Sequence, residues 1–195
     1  MAVSLKKGQK VSLSKDNAGL KKVIVGLGWD EVKQKRGLFG KKPQDIDCDA
    51  SALLLTNGKL AHRNDIVFFG GLKHLSGAVE HLGDNLTGEG EGDDEQIVVD
   101  LAALPAQYEK IVFVVNIYQA KERGQTFDQI QNAFIRIVDG SNNTELARYD
   151  LSENYPGMTA MVFGELYRKD GEWKFGAIGQ GTTDNSITEL AAKYE

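Results

Sequence analysis

The chain has 195 residues, 41% of them hydrophobic and 26% charged, with a formal net charge of −5. That composition supports a buried core and is not that of a disordered chain. The lone cysteine, Cys48, excludes an intrachain disulfide, and no stretch approaches the ~20 apolar residues needed to span a bilayer. The length suits one domain, taken as residues 1–195. The opening Met-Ala-Val-Ser-Leu-Lys-Lys-Gly holds no apolar signal segment, so a reducing, cytoplasmic compartment is expected.

In chain order the apolar runs are short and read as strands. Residues 11–13 make a weak one. Residues 20–29 make a stronger one, with Val23, Val25 and Leu27 on one face. Residues 45–56 follow and end at Asn57-Gly58, a dipeptide that accepts positive φ at both positions and so favours a tight hairpin turn. Further strands are expected over 66–69, 96–101, 111–119, 132–138, 146–151 and 161–167. A last hairpin turns at Lys169-Asp170-Gly171-Glu172 into 173–178. A short helix is expected over 102–110, limited by Pro105. Thr126 with Gln129, and Ser186 with Glu189, have capping-box spacing, the second leading into a C-terminal helix. With 22 glycines and 3 prolines, the pattern predicts a mainly β protein. Its fold is read as a two-sheet antiparallel β-sandwich with a few short peripheral helices.

The charge is unevenly placed. Between residues 74 and 109 there is no lysine or arginine, while nine acidic residues fall there, which leaves the rest of the chain at +4. The densest part is Asp84-Asn85-Leu86-Thr87-Gly88-Glu89-Gly90-Glu91-Gly92-Asp93-Asp94-Glu95, with six carboxylates and three alternating glycines between two strands. Like charges ~4 Å apart repel by ~1 kcal/mol in water and several times that near a protein surface. A hard dication relieves the repulsion directly. Ca²⁺ takes six to eight oxygen ligands, and glycines let the backbone turn its carbonyls inward to supply some of them. Asp45, Asp47 and Asp49 alternate along the 45–56 strand, in one row with Leu53 and Leu55, and Asp30 closes the strand before it. An antiparallel connection would bring these groups to one end of the sheet. Acidic glycine-rich loops are also common as solvated connections, and composition alone does not separate the two readings. The missing counter-charge and the upstream aspartates favour a metal.

Other chemistries fit less well. Zinc would want cysteine and histidine at close spacing, which Cys48, His62, His74 and His81 do not provide. The twelve residues 84–95 match the length of an EF-hand loop. Their interior does not match it, since Leu86 and Gly88 fall at ligand positions. Glutamates between Gly88, Gly90 and Gly92 would repel a phosphate. A carboxylate cluster can also hold catalytic Mg²⁺ or Mn²⁺, so a metal-dependent hydrolase is the alternative reading, although no general base stands out. No catalytic residue is assigned, and the chain is read as a binding module rather than an enzyme. Cys48 lies between two aspartates, whose field disfavours a thiolate, so it reads as a buried structural cysteine. The basic stretch 33–42, with Leu38 and Phe39 at its centre, reads as a solvated loop and a secondary candidate for a partner surface. No broad basic face with stacking aromatics suggests nucleic acid.

Gly28-Trp29-Asp30, Asp47-Cys48-Asp49-Ala50-Ser51-Ala52 and the long run from Gly83 to Glu95 occur in the order of a known family. So do Asn132-Ala133-Phe134-Ile135-Arg136, the run from Glu145 to Leu151, and Trp173-Lys174-Phe175 with Ala177-Ile178-Gly179. Over its whole length the chain resembles the TerD family of tellurite-resistance and stress-response proteins. The resemblance implies a β-sandwich holding calcium, two ions close together. It carries the metal role onto Asp30, Asp47, Asp49, Asp84, Asp93, Asp94 and Glu95, with Asn85, Glu89 and Gly90 as additions. Asp45 precedes the matched motif and is not assigned. The resemblance further implies bacterial cytoplasmic roles in resistance to tellurite, phage and colicin. It also implies partners among other ter-encoded proteins, one of them a membrane protein that would hold this chain peripherally at the inner membrane.

Overall fold

The computed structural model describes residues 2–15, 17–31, 46–84, 92–151 and 153–195. Among them are twelve strands: β1 (Val3–Leu5), β2 (Lys10–Ser12), β3 (Lys22–Glu31), β4 (Cys48–Leu55), β5 (Ile66–Val67) and β6 (Val79–Asp84), then β7 (Glu95–Asp100), β8 (Lys110–Ile117), β9 (Ile130–Asp139), β10 (Glu145–Asp150), β11 (Ala160–Lys169) and β12 (Glu172–Thr182). They form two six-stranded sheets. Sheet A runs β1-β10-β9-β3-β7-β6 and sheet B runs β2-β12-β11-β8-β4-β5. Every pairing is antiparallel except β1 with β10. The expected two-sheet sandwich is what the residues build.

Alternation explains the layering. Val23, Val25 and Leu27 of β3, Ile97 and Val99 of β7, and Ile135 and Ile137 of β9 are fully buried and point toward sheet B. Sheet B answers with Ala52 and Leu54 of β4, Phe113 and Val115 of β8, Phe163 of β11 and Phe175 of β12. The other face of sheet B is also apolar. Leu53, Leu55, Val112, Val114, Ala160 and Val162 form a second cluster, closed by Leu190 and Ala191 from a C-terminal helix, α2 (Ile187–Ala191). That is why β4 and β8 read as nearly unbroken hydrophobic runs. It also places Leu53 and Leu55 against α2, on the face that Asp49 and Ser51 share by alternation, whereas Cys48, Ala50, Ala52 and Leu54 fill the inter-sheet core.

The local readings succeed where turn chemistry is strong. Asn57 (φ 53°) and Gly58 (φ 74°) make the expected turn, closed by bonds between Thr56 and Lys59, and Asp170 (φ 57°) and Gly171 (φ 76°) make the last one. Ser186 caps α2 by accepting the Glu189 N–H at 3.2 Å. Thr126 does not cap its turn, which is a single 3₁₀ turn over Phe127–Gln129. Residues 102–110 are not a helix. Asp100 Oδ1 accepts the Ala102 and Ala103 N–H groups, and Pro105 has no N–H to continue, so the segment stays a pair of turns. The pattern missed β1, β6 and the one-turn α1 (Ala120–Arg123). The basic stretch 33–42 lies outside the described residues.

Candidate metal centre

One end of the sandwich gathers the acidic residues, and strand pairing shows how. Leu27 of β3 pairs with Glu95, the first residue of β7, and Asp84, the last of β6, pairs with Glu95 from the other side. Asp84 and Glu95, on either side of the acidic run, therefore lie at the same end of sheet A. Asn85, Glu89 and Gly90 of that run lie outside the described residues, as does the side chain of Asp84.

The ladder of β3 against β9 shifts register between Gly28 and Asp30. At that irregularity the Trp29 N–H donates to Asp94 Oδ2 at 2.6 Å, while the Asp94 N–H donates to the Leu27 carbonyl at 2.8 Å. Asp94 is thus clipped to β3 through both backbone and side chain. Its Oδ1 accepts no hydrogen bond among the described residues. Burial pushes the Asp94 carboxyl above the ordinary carboxylate range. The Trp29 N–H acts in the opposite sense, and the charges of Asp30 and Asp93 raise it again. Asp30 itself is exposed and accepts a 2.8 Å bond from the Asn132 amide.

Asp93 is buried and has found a counter-charge that the sequence did not advertise. Arg136 of β9 grips it with both Nε (2.7 Å to Oδ1) and Nη2 (3.1 Å to Oδ2), and Gln96 Nε2 adds a bond at 2.9 Å to Oδ2. The Asp93 hydrogen bond, first, and then the neighbouring negative charges hold the Arg136 guanidinium still more firmly protonated than usual. The expected lack of basic partners holds along the chain but not in space.

Glu95 is 3% exposed and ties the two sheets together: its Oε2 accepts the backbone N–H of Ala50 at the start of β4. The same oxygen lies 3.5 Å from Nε2 of the buried His81. The Gly83 N–H donates to His81 Nδ1 at 2.9 Å, which leaves Nε2 to carry the ring proton toward Glu95. Through this link Asp47 and Asp49, on either side of Cys48, come to the same end as Asp93, Asp94 and Glu95. Asp47 is exposed and Asp49 half-buried, opposite Asn116. Among the described residues no three of the His, Cys, Asp and Glu side chains already converge on one metal position. Sequence reasoning missed the roles of Arg136 and His81: Arg136 sits on a strand with nothing nearby in the chain to link it to the acidic run, and His81, although only three residues before Asp84, is a single histidine whose partner Glu95 is reached only by strand pairing.

The chemistry of the donor set fits a hard dication. Oxygen predominates among the donors, and burial together with the charges of Asp30 and Asp93 opposes the ionisation of Asp94. The TerD domain matches residues 1–194. The chain belongs to the TerD family. The stress response protein SCP2 of Bacillus subtilis (strain 168) is 50% identical over 198 residues, covering all of both chains. The tellurium resistance protein TerD of Serratia marcescens is 50% identical over 195 residues, covering all of this chain and 97% of its own. A solved homologue of the telluride resistance protein TerD from Streptomyces coelicolor A3(2) shares the fold with a TM-score of 0.67 at 22% identity, covering 91% of this chain and 99% of that one. The resemblance read from the motifs is therefore that of a true family member, within a family whose named members act in tellurium resistance and stress response.

Proposed function

We propose that this TerD-family chain is a calcium-binding, non-enzymatic stress-response module in which calcium orders the acidic end of the sandwich and presents it to a partner. The reading is carried by Asp94, a half-buried carboxylate held beside Asp30 and Asp93, whose charges and burial all oppose its ionisation. Asp30, Asp94, Asp84, Asn85, Glu89 and Gly90 would hold one calcium ion, and Glu95 with Asp47 and Asp49 would contribute to a second. Calcium would supply positive charge and bring loop oxygens together; no group here is asked to carry out a reaction.

Partner engagement has a surface to work with. Phe69, Leu72, Leu75 and Leu82 are exposed, and Leu82, two residues before Asp84 on β6, lies beside the acidic end. Other ter-encoded proteins are the partners this reading names. Among the described residues no helix is long and apolar enough to cross a membrane; the membrane association in this reading runs through a partner.

The test is thermal unfolding of the wild type and Asp94→Asn in chelator and in calcium. Calcium at about 100 times its Kd adds ~2.7 kcal/mol to a single-site protein, which for this size raises Tm by about 5–11 °C. The wild type should show that rise and Asp94→Asn should lose most of it. Identical wild-type melting curves in calcium and chelator would contradict the proposal.

A further inference from the structure

We infer that Asp93 is not a calcium ligand but the anchor of a latch with Arg136, which fixes the C-terminal end of the acidic loop before any metal arrives. This rests on the calcium reading for its consequence, but not for its geometry. The Asp93 carboxylate already takes three N–H donors, two from Arg136 and one from Gln96. A carboxylate offers about four lone-pair sites, so most of its capacity is committed. The donor on the other side is a guanidinium, and a dication on the same carboxylate would have to share it with a second positive charge. Arg136 also reaches Glu145 Oε2 at 3.4 Å, which ties the latch to β10.

The sheet is shaped to receive this carboxylate. Gly26 of β3 pairs with Arg136 on one side and with Gln96 on the other. The Asp93 carboxyl lies over Gly26, where a Cβ would come within 2.2 Å of its carbon. The residue opposite the arginine must therefore lack a side chain for the ion pair to close. Asp94 follows directly, and its clip to Leu27 and Trp29 is set by where Asp93 is held. Arg136 and Asp93 act as positioning residues: they neutralise one of the six carboxylates of the acidic run and aim the next.

Calcium titration calorimetry and urea unfolding of Asp93→Asn, Arg136→Lys, Arg136→Met and the double variant Asp93→Asn/Arg136→Met test this directly. Asp93→Asn and Arg136→Met should each raise the unfolding constant in chelator at least about tenfold, since each breaks a largely buried pair. The double variant should lose little more than the worse single, which marks coupling. Calcium stoichiometry should stay at the wild-type value in all of them, with affinity weakened several-fold, and Arg136→Lys should fall between wild type and Arg136→Met. An ion lost from the stoichiometry of Asp93→Asn, or a destabilisation present in calcium but absent in chelator, would overturn the latch. If the wild type takes up no calcium, the calcium reading falls, while the coupling measured in chelator still decides whether the latch exists.

Discussion

Replacing Gly26 with alanine probes the acidic end without touching any charged residue. Gly26 sits in the middle of β3 with β7 and β9 on its two sides, and its φ is not in the left-handed region. Alanine is therefore compatible with the backbone, and on intrinsic grounds exchanging strand glycine should gain a few tenths of a kcal/mol. Sterically it is not compatible. The new Cβ would lie 2.2–2.3 Å from the carbon and both oxygens of the Asp93 carboxyl group, well inside any van der Waals contact. Asp93 must leave Arg136 and Gln96. Breaking a buried ion pair costs about 3–5 kcal/mol. The Arg136 side chain is 29% exposed and regains some hydration, so about 2–4 kcal/mol is expected here. For a chain of this length that is a Tm loss of about 5–15 °C. Urea and thermal unfolding in chelator measure it, with Gly58→Ala as a control that meets no atom within 4 Å but must adopt φ 74°; its cost should be about 1–2 kcal/mol. A Gly26→Ala protein as stable as wild type, with Asp93 still on Arg136, would refute the reasoning.

Asp94 makes a pH prediction. Its folded-state carboxyl binds a proton more tightly than in the unfolded chain, so its ionisation costs stability. The cost is absent below the unfolded-state pKa, grows as pH rises toward the folded value, and is complete above it. Asp94→Asn should therefore be more stable than wild type at neutral pH in chelator, with the advantage gone in acid; urea midpoints across pH check this. Ser186→Ala should cost about 1 kcal/mol by removing the cap of α2, read by chemical unfolding. Leu75→Ser, at a side chain 81% exposed, should change stability by less than about 0.5 kcal/mol while reducing co-purification with ter-encoded partners. Robust phosphoester turnover with Mg²⁺ or Mn²⁺, lost in Asp94→Asn, would instead support the hydrolase alternative.

Strands whose side chains alternate against one core were readable from the sequence, because period-two burial leaves its mark on β3, β7, β9 and β12. Tight turns were readable where Asn-Gly and Asp-Gly accept positive φ. β6 was not, since Val-Glu-His-Leu-Gly-Asp buries a histidine and exposes Leu82, inverting the usual pattern. The expected helix at 102–110 failed because an aspartate side chain competed for its first N–H groups. At the candidate site, the run of carboxylates was visible as local charge density. Its arginine was not, because Arg136 comes from a strand about forty residues on, and only the pairing of β3 with β9 brings it to Asp93. The same holds for Glu95 and Ala50, which meet across the two sheets.

The role proposed for the carboxylates at this end of the sandwich is to hold a hard dication. Titrating calcium into chelator-treated protein by isothermal calorimetry tests it most directly. Saturable binding of two ions, abolished or halved in Asp94→Asn, is the expected result. No heat of binding up to about 10⁻³ M calcium, the weak end of natural calcium sites, would contradict it.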